Sequence, residues 1–125
     1  MASQIPDSIR GQKYISLTTF RKNGIAVATA VWFGEEDGKL YVMTRSDMGK
    51  TKRIRNNPRV RVAPCDMRGN VTGEFEEARA EILSGDAAAH GVELLNRKYF
   101  PWKQLLAFFA MFSQRERVVM ALRPA

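Results

Sequence analysis

Apolar and polar residues alternate along most of the chain with the two-residue period of half-buried strands, interrupted by turn-forming residues. K-Y-I-S-L-T-T-F over 13–20 is rich in aromatic and β-branched types. Lys22-Asn23-Gly24 follows it, and Asn-Gly between two such runs is a strong hairpin signal. I-A-V-A-T-A-V-W-F over 25–33 is almost wholly apolar and predicts a strand buried on both faces. After a turn at Glu35-Glu36-Asp37-Gly38, K-L-Y-V-M-T over 39–44 predicts a third strand.

The pattern then changes. A helix starting near Met48 or Gly49 takes Ser46 or Asp47 as its N-cap and ends before Pro58, because the residue preceding proline disfavours the helical region. Ile54 is its core-facing residue. R-V-R-V-A over 59–63 is a fourth strand with its valines inward, and Pro64 is expected to end or bulge it. Cys65 to Asn70 is a turn, and Thr72–Leu83 is a longer, more exposed strand. Ser84-Gly85-Asp86 caps a helix whose apolar positions are Ala88, Val92, Leu95 and Tyr99. Pro101 opens a second helix in which Trp102, Leu105, Leu106, Phe109 and Phe112 form a stripe, while Phe108 and Met111 make it apolar nearly all round. Such a helix needs a second surface to bury against, a dimer partner or a ligand pocket. V-V-M-A-L inside 115–123 closes the chain as a sixth strand. The expectation is a mainly β (β+α), six-stranded antiparallel barrel. A short helix lies between strands three and four, and two helices lie in the C-terminal half.

Length sharpens this to one domain over residues 1–125, large enough for a core. One cysteine gives no internal disulfide, and Met1–Arg10 lacks the apolar centre of a secretory signal. The longest apolar run, Leu105 to Phe112, is too short to span a bilayer, so the chain is expected to be cytoplasmic with no membrane association.

Charge adds a location. The net charge is +7, and Thr44–Val62 carries Arg45, Lys50, Lys52, Arg53, Arg55, Arg59 and Arg61 against Asp47 alone. Basic residues beside a helix N-terminus reinforce its attraction for anions, which predicts a phosphate site there. Gly49-Lys50-Thr51 is not a nucleotide-binding P-loop, because the first glycine of that motif falls on Thr44. A pI near 10 raises the possibility of nucleic acid, but no zinc spacing or base-stacking motif accompanies it, so a nucleic-acid partner is not expected.

Side-chain chemistry is sparse. His90 is the sole histidine and cannot build a metal site without partners, so no metal ligands are assigned. Cys65 lies between Pro64 and Asp66, a setting for an inert thiol. Glu74, Glu76, Glu77 and Glu81 form a solvated acidic face. No catalytic side chain is assigned, so any catalysis falls to a bound cofactor that the protein positions and polarises.

The succession K-Y-I-S-L-T-T-F, G-I-A-V-A-T-A-V-W-F, D-G-K-L-Y-V-M-T and G-K-T-K-R-I-R-N-N-P-R-V resembles the pyridoxamine 5'-phosphate oxidase-like split β-barrels. K-x-K-R-I-R-N-N-P-R-V-R-V-A-P-C-D-x-R-G resembles their flavin/deazaflavin oxidoreductase group, the branch dependent on coenzyme F-420. The resemblance is strong over about residues 10–83 and weaker at the C-terminal end. It implies a homodimer with cofactor grooves at the subunit interface and a small-molecule substrate. It further implies that Thr29, Ala30, Val31 and Trp32 line the cofactor ring with their backbone. Thr44 and Lys50 would hold the phosphate, and Lys52 and Arg53 the phosphate or an acidic tail. Flavin mononucleotide (FMN) enzymes of this fold tend to carry S-R-K where this chain has Met48-Gly49-Lys50. The expectation is therefore an F-420-dependent oxidoreductase transferring a hydride to a small electrophile. The alternatives are an FMN enzyme of the same fold or a flavin or deazaflavin binder without turnover.

Overall fold

The computed structural model describes Ile9, residues 12–45, 49–99 and 117–124, without the side chains of Arg45, Lys50, Asn96, Tyr99 and Arg117. The strands are β1 (Tyr14–Phe20), β2 (Ala26–Glu36), β3 (Lys39–Arg45), β4 (Arg59–Cys65), β5 (Glu76–Leu83) and β6 (Arg117–Pro124). The helices are α1 (Gly49–Asn56) and α2 (Gly85–Tyr99). All strand pairs are antiparallel, and they close into a barrel in the order β1-β2-β3-β6-β5-β4. The anticipated helix over Pro101–Phe112 lies outside the described residues, as do Ser46 and Asp47. Neither described helix is long and apolar enough to cross a membrane.

Alternation sorts the side chains into two cores. Inside the barrel sit Ile15, Leu17, Val31, Phe33, Val42, Val60, Val62, Met120 and Leu122, with Ile54 of α1 closing one end. Outside it, Tyr41, Met43, Val119 and Ala121 pack under Leu95 of α2, joined by Trp32, Leu83, Ala88, Val92 and Leu94. β3 and β6 are therefore buried on both faces. The approach of α2 is close enough to require glycine at Gly91, where a Cβ would stand 2.6 Å from Val119 Cγ1 and 3.2 Å from Tyr41 Cδ1. His90 joins the same seam by meeting the Glu36 carboxylate and standing edge-on to Tyr41.

Three sequence expectations are corrected. The apolar run 25–33 is not buried on both faces. Ile25 is exposed, and Ala26, Ala28 and Ala30 face solvent, because α2 reaches only the far end of β2. Pro64 does not end β4 but pairs with Ile15 inside it. It lies past the last β4–β5 pair, Val62↔Glu76, so its missing N–H faces no strand, and its carbonyl accepts from Thr72 N at 2.8 Å. The fifth strand begins at Glu76 and not at Thr72, leaving Phe75 about half exposed in the preceding loop.

The β2–β3 connection is a two-residue turn, Asp37 and Gly38, both with positive φ as a right-twisted hairpin requires. Glu77 on β5 accepts from Arg59 Nη2 at 2.9 Å and Arg61 Nε at 3.0 Å, and these bonds hold its pKa at about 2. Both guanidiniums also lie over the Phe20 ring.

Gly91→Ala is expected to lower stability. Overpacking against a stiff, buried valine costs about 1–3 kcal/mol, which outweighs the gain of about 1 kcal/mol in helix propensity. An unchanged or raised unfolding temperature would contradict the contact.

Candidate cofactor-binding edge

Among the described residues, no residue of β2 is paired on both sides. Ala26–Trp32 pair only with β1, from Phe20↔Ala26 to Tyr14↔Trp32, and Phe33–Glu36 pair only with β3, from Phe33↔Val42 to Glu36↔Lys39. β3 continues to Arg45, but there it pairs with β6 alone. The two strands part, and the backbone of Ala26–Trp32 faces the gap with one edge that no described strand completes. Unpaired backbone N–H and C=O groups in such a row are a template for whatever can pair with them.

The four β2 positions expected at the cofactor ring all lie on this edge. Their side chains divide by alternation. Thr29 and Val31 point inward, in register with Leu17 and Ile15, whereas Ala30 and Trp32 point outward, opposite Ser16 and Tyr14. Trp32 is half-buried, with its ring 6.5 Å from that of Tyr14. Thr29 Oγ1 is buried and has no hydrogen-bond partner among the described residues. An unsatisfied buried hydroxyl costs about 1–3 kcal/mol, so it marks a position where a ligand's polar atom is accepted without further desolvation. Outside the edge, the β4–β5 loop is tied by three bonds to the Asp66 carboxylate, from Arg68 N, Asn70 N and Asn70 Nδ2, and Gly69 lies against Ala30.

α1 is tied to this part of the barrel through Thr19, the β1 residue that pairs with Val27. Thr44, at the end of β3, is buried and faces the barrel interior, in register with Val118. Arg53 reaches back along the helix, and its Nε donates to Thr19 Oγ1 at 2.6 Å. Its Nη1 occupies the space over Gly49, only 2.6 Å from where a Cβ on that residue would be. Burial and the neighbouring Arg21 both push the Arg53 pKa down. The Arg53 guanidinium thus stands at the positive end of a helix dipole with no acid in the first turn, within the field of Arg21, an arrangement that an anion relieves. Lys52 is exposed and makes no ion pair among the described residues. The Lys50 side chain lies outside the described residues.

Sequence reasoning missed Thr19 and Arg21, because Thr19 is 34 residues from the arginine it holds. It also missed Lys98, whose Nζ sits 3.4 Å from the centroid of the Phe33 ring, where β2 passes from β1 to β3. Burial lowers the Lys98 pKa to about 8, against an opposing pull from Glu35. Cys65 is buried, and burial followed by Asp66 pushes its thiol pKa up, the reverse of what a nucleophile needs. Among the described residues no three metal-ligating side chains cluster.

The whole chain, residues 1–125, matches the family model described as pyridoxamine 5'-phosphate oxidase. No curated protein matches it significantly. Among solved structures, one described as an F420 reductase is 22% identical with a TM-score of 0.62, covering 97% of this chain and 96% of that one. The heme-storage protein HutZ from Vibrio cholerae is 11% identical with a TM-score of 0.69, covering 93% of this chain and 84% of that one. A heme-binding protein from Mycobacterium smegmatis is 16% identical with a TM-score of 0.66, covering 94% of this chain and 48% of that one. At these identities the likeness is one of fold.

Gly49→Ala is expected to displace the Arg53 guanidinium while leaving the barrel folded, since the tip of a flexible side chain moves more readily than backbone. Loss of one charge-assisted contact then weakens a phosphate-bearing ligand by about 1.5–3 kcal/mol. Unchanged affinity for such a ligand in the folded variant would remove Arg53 from the site.

Proposed function

The chain belongs to the pyridoxamine 5'-phosphate oxidase family, and from that premise we propose that it binds a flavin-type redox cofactor along the open edge of β2, with the phosphate at the start of α1. The observation that carries this reading is the second edge of Ala26–Trp32, which no described strand pairs, with the Thr29 hydroxyl that has no partner among the described residues beside it. A planar heterocycle with carbonyl and N–H groups along one side is the kind of ligand that such an edge can hydrogen-bond, and Trp32 offers an aromatic flank. Arg53 at Gly49 supplies positive charge for the phosphate. Thr44 and Lys50 are proposed as its further contacts, with Lys52 reaching toward an acidic tail.

The proposed cofactor is coenzyme F-420. Met48-Gly49-Lys50 replaces the S-R-K expected for FMN, and the excess of basic residues around α1 suits a ligand carrying carboxylates beyond its phosphate. When bound, the deazaflavin supplies a hydride at C5, and the proposed activity is reduction of a small organic electrophile. The residues of this chain then have three tasks. The β2 backbone orients the ring, the apolar wall of Val31, Phe33 and Val42 excludes water from its inner side, and Arg53, Arg21 and Lys98 favour negative charge on the reduced ring. A homodimer is proposed to complete each groove with groups from the second subunit. Similarity of fold to an F420 reductase supports this reading, and FMN in the same groove is its alternative.

The test is a side-by-side titration with coenzyme F-420 and FMN, following cofactor fluorescence at moderate salt. The expected result is tighter binding of F-420, weakened by about 1.5–3 kcal/mol in Lys50→Ala, the range for one charge-assisted hydrogen bond. Preference for FMN would transfer the reading to the alternative, and binding of neither would overturn both.

A further inference from the structure

A row of arginines crosses three adjacent strands on the outer surface of the barrel. The β4–β5 register sets Arg59 opposite Arg79, and the β5–β6 register sets Arg79 opposite Arg123. Directly opposed side chains have Cβ atoms about 4.5–5.5 Å apart, and like charges in that relation destabilise a sheet. The acids beside the row serve its two ends. Glu77 is taken by Arg59 and Arg61, and Glu81 Oε2 lies 3.4 Å from Arg123 Nη2. Arg79, in the centre, is exposed and makes no ion pair among the described residues. Four guanidiniums thus stand beside two carboxylates, and Arg79 is the one without an ion pair among the described residues.

The same three arginines line an open surface pocket of about 680 Å³, together with Glu77, Ala78 and Pro124. That is the size of a small-molecule site, and the guanidinium fork matches oxyanions in paired hydrogen bonds. Arg59 and Arg123 are separated by two strand spacings, about 10 Å between their backbones, wider than one phosphate group requires. The row is also distinct from the anion position at α1. Arg59 follows the C-terminal end of that helix, whereas the Arg53 guanidinium is folded back over Gly49 at its beginning. Eight residues of helix span about 12 Å.

We propose that this pocket is a second anion site, which takes a small ligand bearing two adjacent phosphate groups, with Arg79 at its centre and Arg59 and Arg123 on either side. The site does not depend on the cofactor reading.

The experiment uses the ¹⁵N-labelled full chain and inorganic pyrophosphate at moderate salt, followed by amide shifts. Saturable shifts at Ala78, Arg79 and Arg123 are expected. Arg79→Gln should weaken pyrophosphate binding at these amides about tenfold or more, the loss of a charge-assisted contact. It should also raise the unfolding temperature of the ligand-free protein by relieving the opposed charges. Arg123→Gln should weaken binding similarly, and Lys50→Ala should leave it unchanged. Shifts confined to Gly49–Arg53, or full affinity in a folded Arg79→Gln or Arg123→Gln protein, would overturn the proposal. Inorganic phosphate binding as tightly as pyrophosphate would contradict the two-phosphate ligand. A short DNA duplex that shifts these amides where pyrophosphate does not would replace the small ligand with nucleic acid.

Discussion

Everything in this barrel follows from a constraint on β2: it is one continuous strand of 11 residues, yet it pairs with β1 over its first part and with β3 over its last, never with both. The barrel still closes, because β3 turns to β6, and β5 and β4 carry the sheet back to β1. What the closure leaves is a gap between two strands that share a hairpin. The inner wall of that gap is the core around Val31, Phe33 and Val42, and one rim is the edge of β2 that no described strand pairs. Burying α2 against β3, β6 and the end of β2 fixes that hairpin and leaves the earlier alanines of β2 uncovered.

The helix α1 carries the electrostatic counterpart. Ile54 and Thr51 anchor α1 in the barrel end, both nearly inaccessible to solvent, so the direction of the helix is set by packing and not by its charges. The Gly49 position, free of a Cβ, admits the Arg53 guanidinium, and Thr19 on β1 holds it there. A cation placed at the positive end of a dipole and beside Arg21 is unfavourable by itself, and it becomes favourable when an anion lies between them. On the proposed reading, the backbone edge and the charged helix end serve one molecule, a flat polar ring with a phosphate attached.

Much of the fold was legible because alternation and turn chemistry agree in this chain. R-V-R-V-A does place its valines inside, Asp37-Gly38 does reverse the chain, and the helix does lie before Pro58. The nature of β2 was not legible. Alanine counts as apolar in a hydrophobic pattern, so A-V-A-T-A-V reads as continuously buried, although alternate alanines face outward. Pro64 was misjudged because the cost of a missing N–H depends on whether a neighbouring strand stands opposite, which register alone decides. For the candidate site, the sequence could name positions on β2 and α1, but not the contacts that surround them. The Arg53–Thr19 bond joins distant residues, and the line of Arg59, Arg79 and Arg123 exists only once three strands are in register.

The central claim, that the open backbone of β2 is a cofactor edge, is tested most directly by amide hydrogen exchange of the full chain with and without coenzyme F-420. The account predicts slower exchange on binding at amides between Thr29 and Trp32, together with protection at the start of α1. Protection at α1 alone would leave the anion site standing without the ring. Unchanged exchange along β2 in a saturated complex would contradict the account.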